Sequence, residues 1–132
     1  MRIILADHHA QPRLALQVLL DEQPEFDLIG EAVNAQDLLL LAHALPADLI
    51  IVDRQLPGMD CETLIAGLHA LAPRPIVIVM SSESGYSRSI LKVGADAFVS
   101  KSDEPDWLLD RLEKYAKQVN QLEDANRKTK PA

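Results

Sequence analysis

The sequence predicts an α/β protein: five strand–helix units, (βα)5, wound into a doubly wound parallel sheet. Two observations carry that expectation. Short β-branched apolar runs recur along the chain, and stretches of helical periodicity separate them. Strands alternating with helices build βαβ units, whose strands run parallel. The length of 132 residues bounds the rest. It suits one domain, which at this size buries about two-thirds of the surface its unfolded chain exposes and needs no metal or disulfide staple.

The elements follow in order. The first strand is Arg2–Ala6, and helix one presents Leu14, Val18 and Leu19 on one face, with Pro12 suited to its first turn. Strand two is Phe26–Ala32. Helix two aligns Leu38, Leu41, Ala42 and Leu45, with Asn34 as its cap. Strand three is Leu49–Val52, and helix three aligns Leu64, Ile65, Leu68 and Leu71 behind a cap at Asp60. Strand four is Ile76–Met80. Helix four carries Ile90, Leu91 and Val93, with Ser82 or Ser84 as cap and Gly94 as its stop. Strand five is Ala97–Val99, and helix five starts near Glu104.

Runs one, three and four are continuously apolar, as strands buried on both faces must be. Run two alternates with Asp27 and Glu31, and run five is short with Ser100 close behind. Strands two and five are therefore the edges, and right-handed crossovers then give the order 2-1-3-4-5.

Charge narrows the function. The net charge is −7, but it is uneven: residues 1–113 carry 8 basic and 18 acidic side chains, a net −10, and residues 114–132 a net +3. An acidic body argues against a nucleic-acid surface on the domain, because phosphate contacts need clustered Lys and Arg. No apolar run approaches the roughly 18 residues of a membrane span. The start of the chain does not read as a signal peptide. The single cysteine, Cys61, rules out an internal disulfide and fits a reducing cytoplasm.

Open parallel sheets bind ligands beyond the carboxyl ends of their strands, at the point where strand order reverses. Here that point lies between strands one and three. Asp7 ends strand one, Asp53 strand three, Ser81 strand four and Lys101 strand five. Two adjacent carboxylates repel and call for a cation. Oxygen donors suit Mg²⁺, and a lysine with a hydroxyl completes a site for a phosphoryl group. A lone Asp or Lys after a strand is usually a cap or a solvated residue; four at matching strand ends point to a site.

At these residues the chain resembles the receiver domain of bacterial two-component response regulators, the CheY-like family. The resemblance covers roughly residues 1–116. It rests on Asp48-Leu-Ile-Ile-Val-Asp53-Arg-Gln-Leu-Pro57-Gly58-Met59-Asp60, on Ile76-Val-Ile-Val-Met-Ser81-Ser82, and on Gly94-Ala-Asp-Ala-Phe98-Val-Ser-Lys101. It implies that Asp53 accepts a phosphoryl group from a histidine kinase or phosphotransfer protein. Ser81 and Lys101 would engage that group. Phe98 would change rotamer with Ser81 and alter the face of helix four, strand five and helix five, read by a downstream effector or output domain. Mg²⁺ would be held by Asp7, Asp53 and the backbone carbonyl of Gln55, and the side chains of Gln55 and Glu83 would tune phosphoryl lifetime. Such a protein receives a phosphoryl group and is no enzyme beyond self-catalysed transfer and loss.

Three features depart from the family pattern. The second acid after strand one is replaced: Asp7 is followed by His8 and His9. Imidazole is a poor partner for a hard cation and prefers transition metals. His8 thus either weakens metal binding or ligates a softer ion; His9 is expected to be an ordinary loop residue. Ser102 stands where a proline often follows the lysine, leaving the Lys101–Ser102 peptide as trans or as a cis bond held by the site. Last, Leu108, Leu112, Tyr115, Val119, Leu122 and Asn126 fall at heptad spacing. They form either a homodimer seam, with Asn126 setting register, or a sheet-facing stripe followed by a solvated tail. The chain is expected to divide into a receiver at 1–116 and a helical extension with a polar tail at 117–132, and to be either a stand-alone receiver or the receiver portion of a larger regulator. The alternative function is a pseudo-receiver, not phosphorylated and acting as a dimerisation or adaptor module. A flavodoxin is disfavoured by the absence of a phosphate loop after strand one. A dehalogenase-type phosphatase is disfavoured by Gln55 standing two residues past Asp53.

Overall fold

The computed structural model describes residues 1–83, 85, 87–101 and 105–129, the side chains of 105, 106 and 122–129 excepted. The elements are β1 (Arg2–Ala6), α1 (Ala10–Asp21), β2 (Asp27–Ala32), α2 (Ala35–Ala44), β3 (Leu49–Asp53), α3 (Cys61–His69), β4 (Ile76–Ser81), α4 (Ser87–Lys92), β5 (Ala97–Ser100) and α5 (Pro105–Thr129). The five strands pair in parallel in the order β2-β1-β3-β4-β5. The expected fold and edge strands are therefore found.

Alternation along each strand sends side chains to two cores. On one face Ile4, Ile50, Val52, Val77 and Val79 meet Leu38 of α2, Leu64, Ile65 and Leu68 of α3, and Ile90 of α4. On the other Ile3, Leu5, Leu49, Ile51 and Ile78 meet Leu20 of α1 and Leu108 and Leu112 of α5. The central strand β3 is buried at every residue, as its unbroken apolar run requires.

Capping matches expectation at two helices. Asn34 Oδ1 accepts from Asp37 N at 2.8 Å, and Asp60 Oδ2 accepts from Thr63 N at 3.0 Å. Gly94 sits at φ +112°, past the last turn of α4. α4 begins only at Ser87, so Ser82 is not its cap, and Ser84 lies outside the described residues. The α1 face is also corrected. Leu14 and Val18 are 60% and 52% exposed, while Leu16, Leu19 and Leu20 pack on the sheet. Both sets recur at helical spacing, so periodicity alone does not choose between them.

α5 is helical through Thr129. Leu112 is fully buried in the domain's own core, and Tyr115 packs beside it while its hydroxyl donates to the Asp96 carbonyl at 3.2 Å. These two seam positions therefore serve the domain internally. Val119 is half-buried, and the side chains of Leu122 and Asn126 lie outside the described residues. The Lys101–Ser102 peptide lies outside them too.

Candidate functional site

Three strands deliver the site. Asp7 follows β1, Asp53 ends β3 and Ser81 ends β4; their exposures are 2%, 5% and 2%. Lys101, just past β5, crosses the rim to them. Its Nζ donates to Asp7 Oδ2 at 2.8 Å and stands 3.3 Å from Asp53 Oδ2. The backbone holds Lys101 in place, since its N–H donates to the Ser81 carbonyl at 2.8 Å.

The β1–α1 turn is fastened from below. Arg13 Nη1 donates to the Asp7 carbonyl at 2.9 Å, and Asp7 Oδ1 accepts from His9 N at 2.9 Å. Burial pushes the Asp7 carboxyl up, but the Lys101 ammonium and the His9 N–H outweigh it and hold Asp7 below the usual carboxylate range. The β3–α3 loop is fastened to α2: Ala35 N donates to the Pro57 carbonyl at 2.8 Å and Gln36 Nε2 to the Gly58 carbonyl at 2.7 Å. Gly58 has φ +105°, and any Cβ there would run into Gln36.

Asp53 is treated differently by its surroundings. Its Oδ1 accepts from Gln55 N at 3.3 Å. Its Oδ2 is buried and accepts no hydrogen bond, although Lys101 Nζ is within ion-pair distance. A buried carboxylate oxygen left in this way costs about 1–3 kcal/mol. Such a group is exceptional in a native fold and points to a ligand or a reaction.

Ser81 Oγ accepts from Glu83 N at 3.1 Å and from Arg54 Nε at 3.5 Å, which leaves its hydroxyl hydrogen for another acceptor. Gln55 and Glu83 both have exposed side chains. Phe98 is half-buried and packs on the opposite core from its neighbours Ala97 and Val99.

The histidines are where expectation and structure part. His8 Nδ1 stands 3.7 Å from Asp53 Oδ2. His9, expected to be an ordinary loop residue, is drawn in beside it. Its Nδ1 lies 3.4 Å from Asp7 Oδ1 and 3.7 Å from Asp53 Oδ2, and the two rings are 3.8 Å apart. Asp7, His8, His9 and Asp53 each offer one donor atom, all within 4.8 Å of one another. The only signal in the sequence was the His-His pair itself, directly after a strand-end Asp.

The response regulator receiver domain model matches residues 3–113. Among curated proteins, the nitrate/nitrite response regulator NarL of Escherichia coli K12 is 33% identical over 116 residues, covering 86% of this chain and 54% of NarL. The transcriptional regulatory protein LiaR of Bacillus subtilis is 26% identical over 125 residues, covering 93% of this chain and 59% of LiaR. The chain thus spans a little over half the length of these relatives. Among solved structures, the receiver domain of AraT from Geobacillus stearothermophilus superposes with a TM-score of 0.82 at 23% identity, covering 92% of this chain and 97% of that one. The receiver domain of NarL from Mycobacterium tuberculosis gives 0.77 at 24%, covering 88% and 95%.

Receiver domains generally bind Mg²⁺ at an acidic pocket. Asp7 and the orphaned Asp53 oxygen suit any cation. Two imidazoles within reach of the same point do not suit Mg²⁺, which demands octahedral oxygen and water. No helix among the described residues is long and apolar enough to cross a membrane.

Proposed function

Because this chain belongs to the response regulator receiver domain family, we propose that Asp53 accepts a phosphoryl group and that the domain works as a switch in a two-component phosphorelay. The observation that carries the reading is the buried Asp53 Oδ2, without a hydrogen bond and 3.3 Å from an ammonium. A carboxylate oxygen already stripped of donors is a ready nucleophile. It attacks the phosphorus of a phosphohistidine on a histidine kinase or phosphotransfer protein. The new O–P bond replaces the N–P bond, and the imidazole leaves.

The chain's own groups then meet the added charge. Lys101 faces the incoming phosphoryl oxygens and offsets their charge. Ser81 turns its free hydroxyl hydrogen toward one of them. That rotation loosens its contacts with Glu83 N and Arg54, and Phe98 follows it into the space between α4 and β5. The α4–β5–α5 face changes, and an effector or output domain reads it. The chain in this reading is a phosphoryl receiver, with no turnover of a separate substrate.

His8 and His9 favour a second reading, a pseudo-receiver that signals by binding alone. Intact mass separates the two. The chain is incubated with acetyl phosphate and, in parallel, Mg²⁺, Mn²⁺ or Zn²⁺. One added phosphoryl group on wild type and none on Asp53→Asn is the expected result. No addition with any ion, together with addition to a His8→Asp variant, establishes the pseudo-receiver.

A further inference from the structure

We propose that Asp7, His8, His9 and Asp53 form a site for a divalent transition ion of the Zn²⁺ class, in the position where relatives would hold Mg²⁺. The distances set the geometry. Zn²⁺ binds imidazole nitrogen and carboxylate oxygen at about 2.0–2.2 Å, so the edges of its tetrahedron are roughly 3.3–3.6 Å long. The donor pairs here are separated by 3.4 Å (His9 Nδ1 to Asp7 Oδ1), 3.7 Å (His8 Nδ1 to Asp53 Oδ2) and 3.7 Å (His9 Nδ1 to Asp53 Oδ2). Three edges of one tetrahedron are present, each within a few tenths of an ångström.

The orphaned Asp53 Oδ2 is the second, independent observation. It is the atom shared by two of those edges, and it accepts no hydrogen bond from either ring or from Lys101. Without an ion the arrangement costs free energy; a metal at the centre would occupy the bare oxygen and both ring nitrogens together. The supporting bonds are also in place. Asp7 keeps Lys101 on Oδ2 while Oδ1 faces the histidines and takes the His9 N–H. A ligating carboxylate held by hydrogen bonds of its own is the usual second layer of a metal site. Neutral imidazole is a strong ligand for Zn²⁺, Cu²⁺ or Ni²⁺ and a weak one for Mg²⁺. The reading of Asp53 as acceptor is not needed for this inference; both draw on Oδ2, so an ion held there would have to release that oxygen before it attacks phosphorus.

The test is equilibrium dialysis of the full chain against Zn²⁺, Mn²⁺ or Mg²⁺ alone, with no phosphodonor, and bound metal read by elemental analysis. One Zn²⁺ per chain is expected, with affinity at least about 100-fold above that for Mg²⁺. A His8→Ala/His9→Ala double variant should lose about 100-fold or more for Zn²⁺, two of four ligands being gone. His43→Ala/His69→Ala should bind as wild type does. Ring-proton NMR supplies the check that does not depend on variants: His8 and His9 resonances shift on adding Zn²⁺, and those of His43 and His69 stay. Equal affinity for Zn²⁺ and Mg²⁺, or Zn²⁺ binding that survives loss of both His8 and His9, overturns the proposal. Because no phosphoryl group is involved, a failure here is separate from a failure of Asp53 to accept one.

Discussion

The two ends of the sheet both carry charged clusters, and they are built to opposite rules. At the amino ends of β3 and β5 both carboxylate oxygens of Asp48 and of Asp96 are bonded. Asp48 takes the Arg2 N–H at 2.8 Å on Oδ2 and the guanidinium on both oxygens at 3.3 Å. Asp96 takes Val77 N at 2.8 Å and the His69 ring at 3.0 Å on Oδ2, with Arg74 at 3.4 Å on Oδ1. At the carboxyl ends two more deeply buried carboxylates share one ammonium, and one oxygen has no hydrogen bond at all. The amino end uses charge to close a fold. The carboxyl end buries two carboxylates and leaves one of their oxygens without a hydrogen bond.

Substitutions should break this contrast in a definite order. Lys101→Met leaves two buried carboxylates facing each other; loss of one partner of a buried pair costs about 3–5 kcal/mol, and urea unfolding should show it. Restoring stability by adding Asp53→Asn to Lys101→Met would tie the loss to that repulsion. Asp96→Ala removes a charged acceptor from three donors, and about 2 kcal/mol should be lost. Asp53→Asn alone should run the other way, gaining about 1 kcal/mol by relieving the bare oxygen while ending phosphoryl acceptance. A loss of stability in Asp53→Asn as large as that in Asp96→Ala would erase the distinction between the two ends.

The smallest effect belongs to Asp60, at the start of α3. Thr63, through its hydroxyl and its backbone N–H, holds the Asp60 carboxyl below its ordinary value. A folded value that is depressed means stability present above the unfolded value, near 3.9, and lost as pH falls through the folded one. The melting-temperature gap between wild type and Asp60→Ala should therefore be constant from neutral pH down to about pH 4 and narrow below it.

Strand order, edge strands and the caps at Asn34 and Asp60 are legible in the sequence, because each is written in local pattern. Leu49 to Val52 is an unbroken, largely β-branched apolar run of the length a strand buried on both faces has, and Asn34 stands three residues before Asp37 N. Asp7, Asp53, Ser81 and Lys101 are legible as a set because topology carries strand ends to one rim. What local pattern does not carry is the path of a loop. His9 joins the cluster because its own N–H bonds Asp7 and turns its ring back over the site, a fact of three-dimensional closure. Leu112 shows the same limit in a helix. A heptad seam and a sheet-facing stripe share one alternation of threes and fours, and only packing shows that Leu112 belongs to the core.

Asp96 has a mechanical consequence. Its side chain and backbone together join the end of α3, the first residues of β4 and the side of α5, with Tyr115 on its carbonyl and Val77 on both its carboxylate and its N–H. It stands at the amino end of β5. The strand is thus moored at both ends, by Asp96 before Ala97 and by the Lys101 N–H on the Ser81 carbonyl after Ser100, with β4 paired along its length between them. Lys101 therefore reaches Asp7 and Asp53 from a backbone tied on both sides, and a disturbance of Asp96 would be felt at the buried carboxylates through β5.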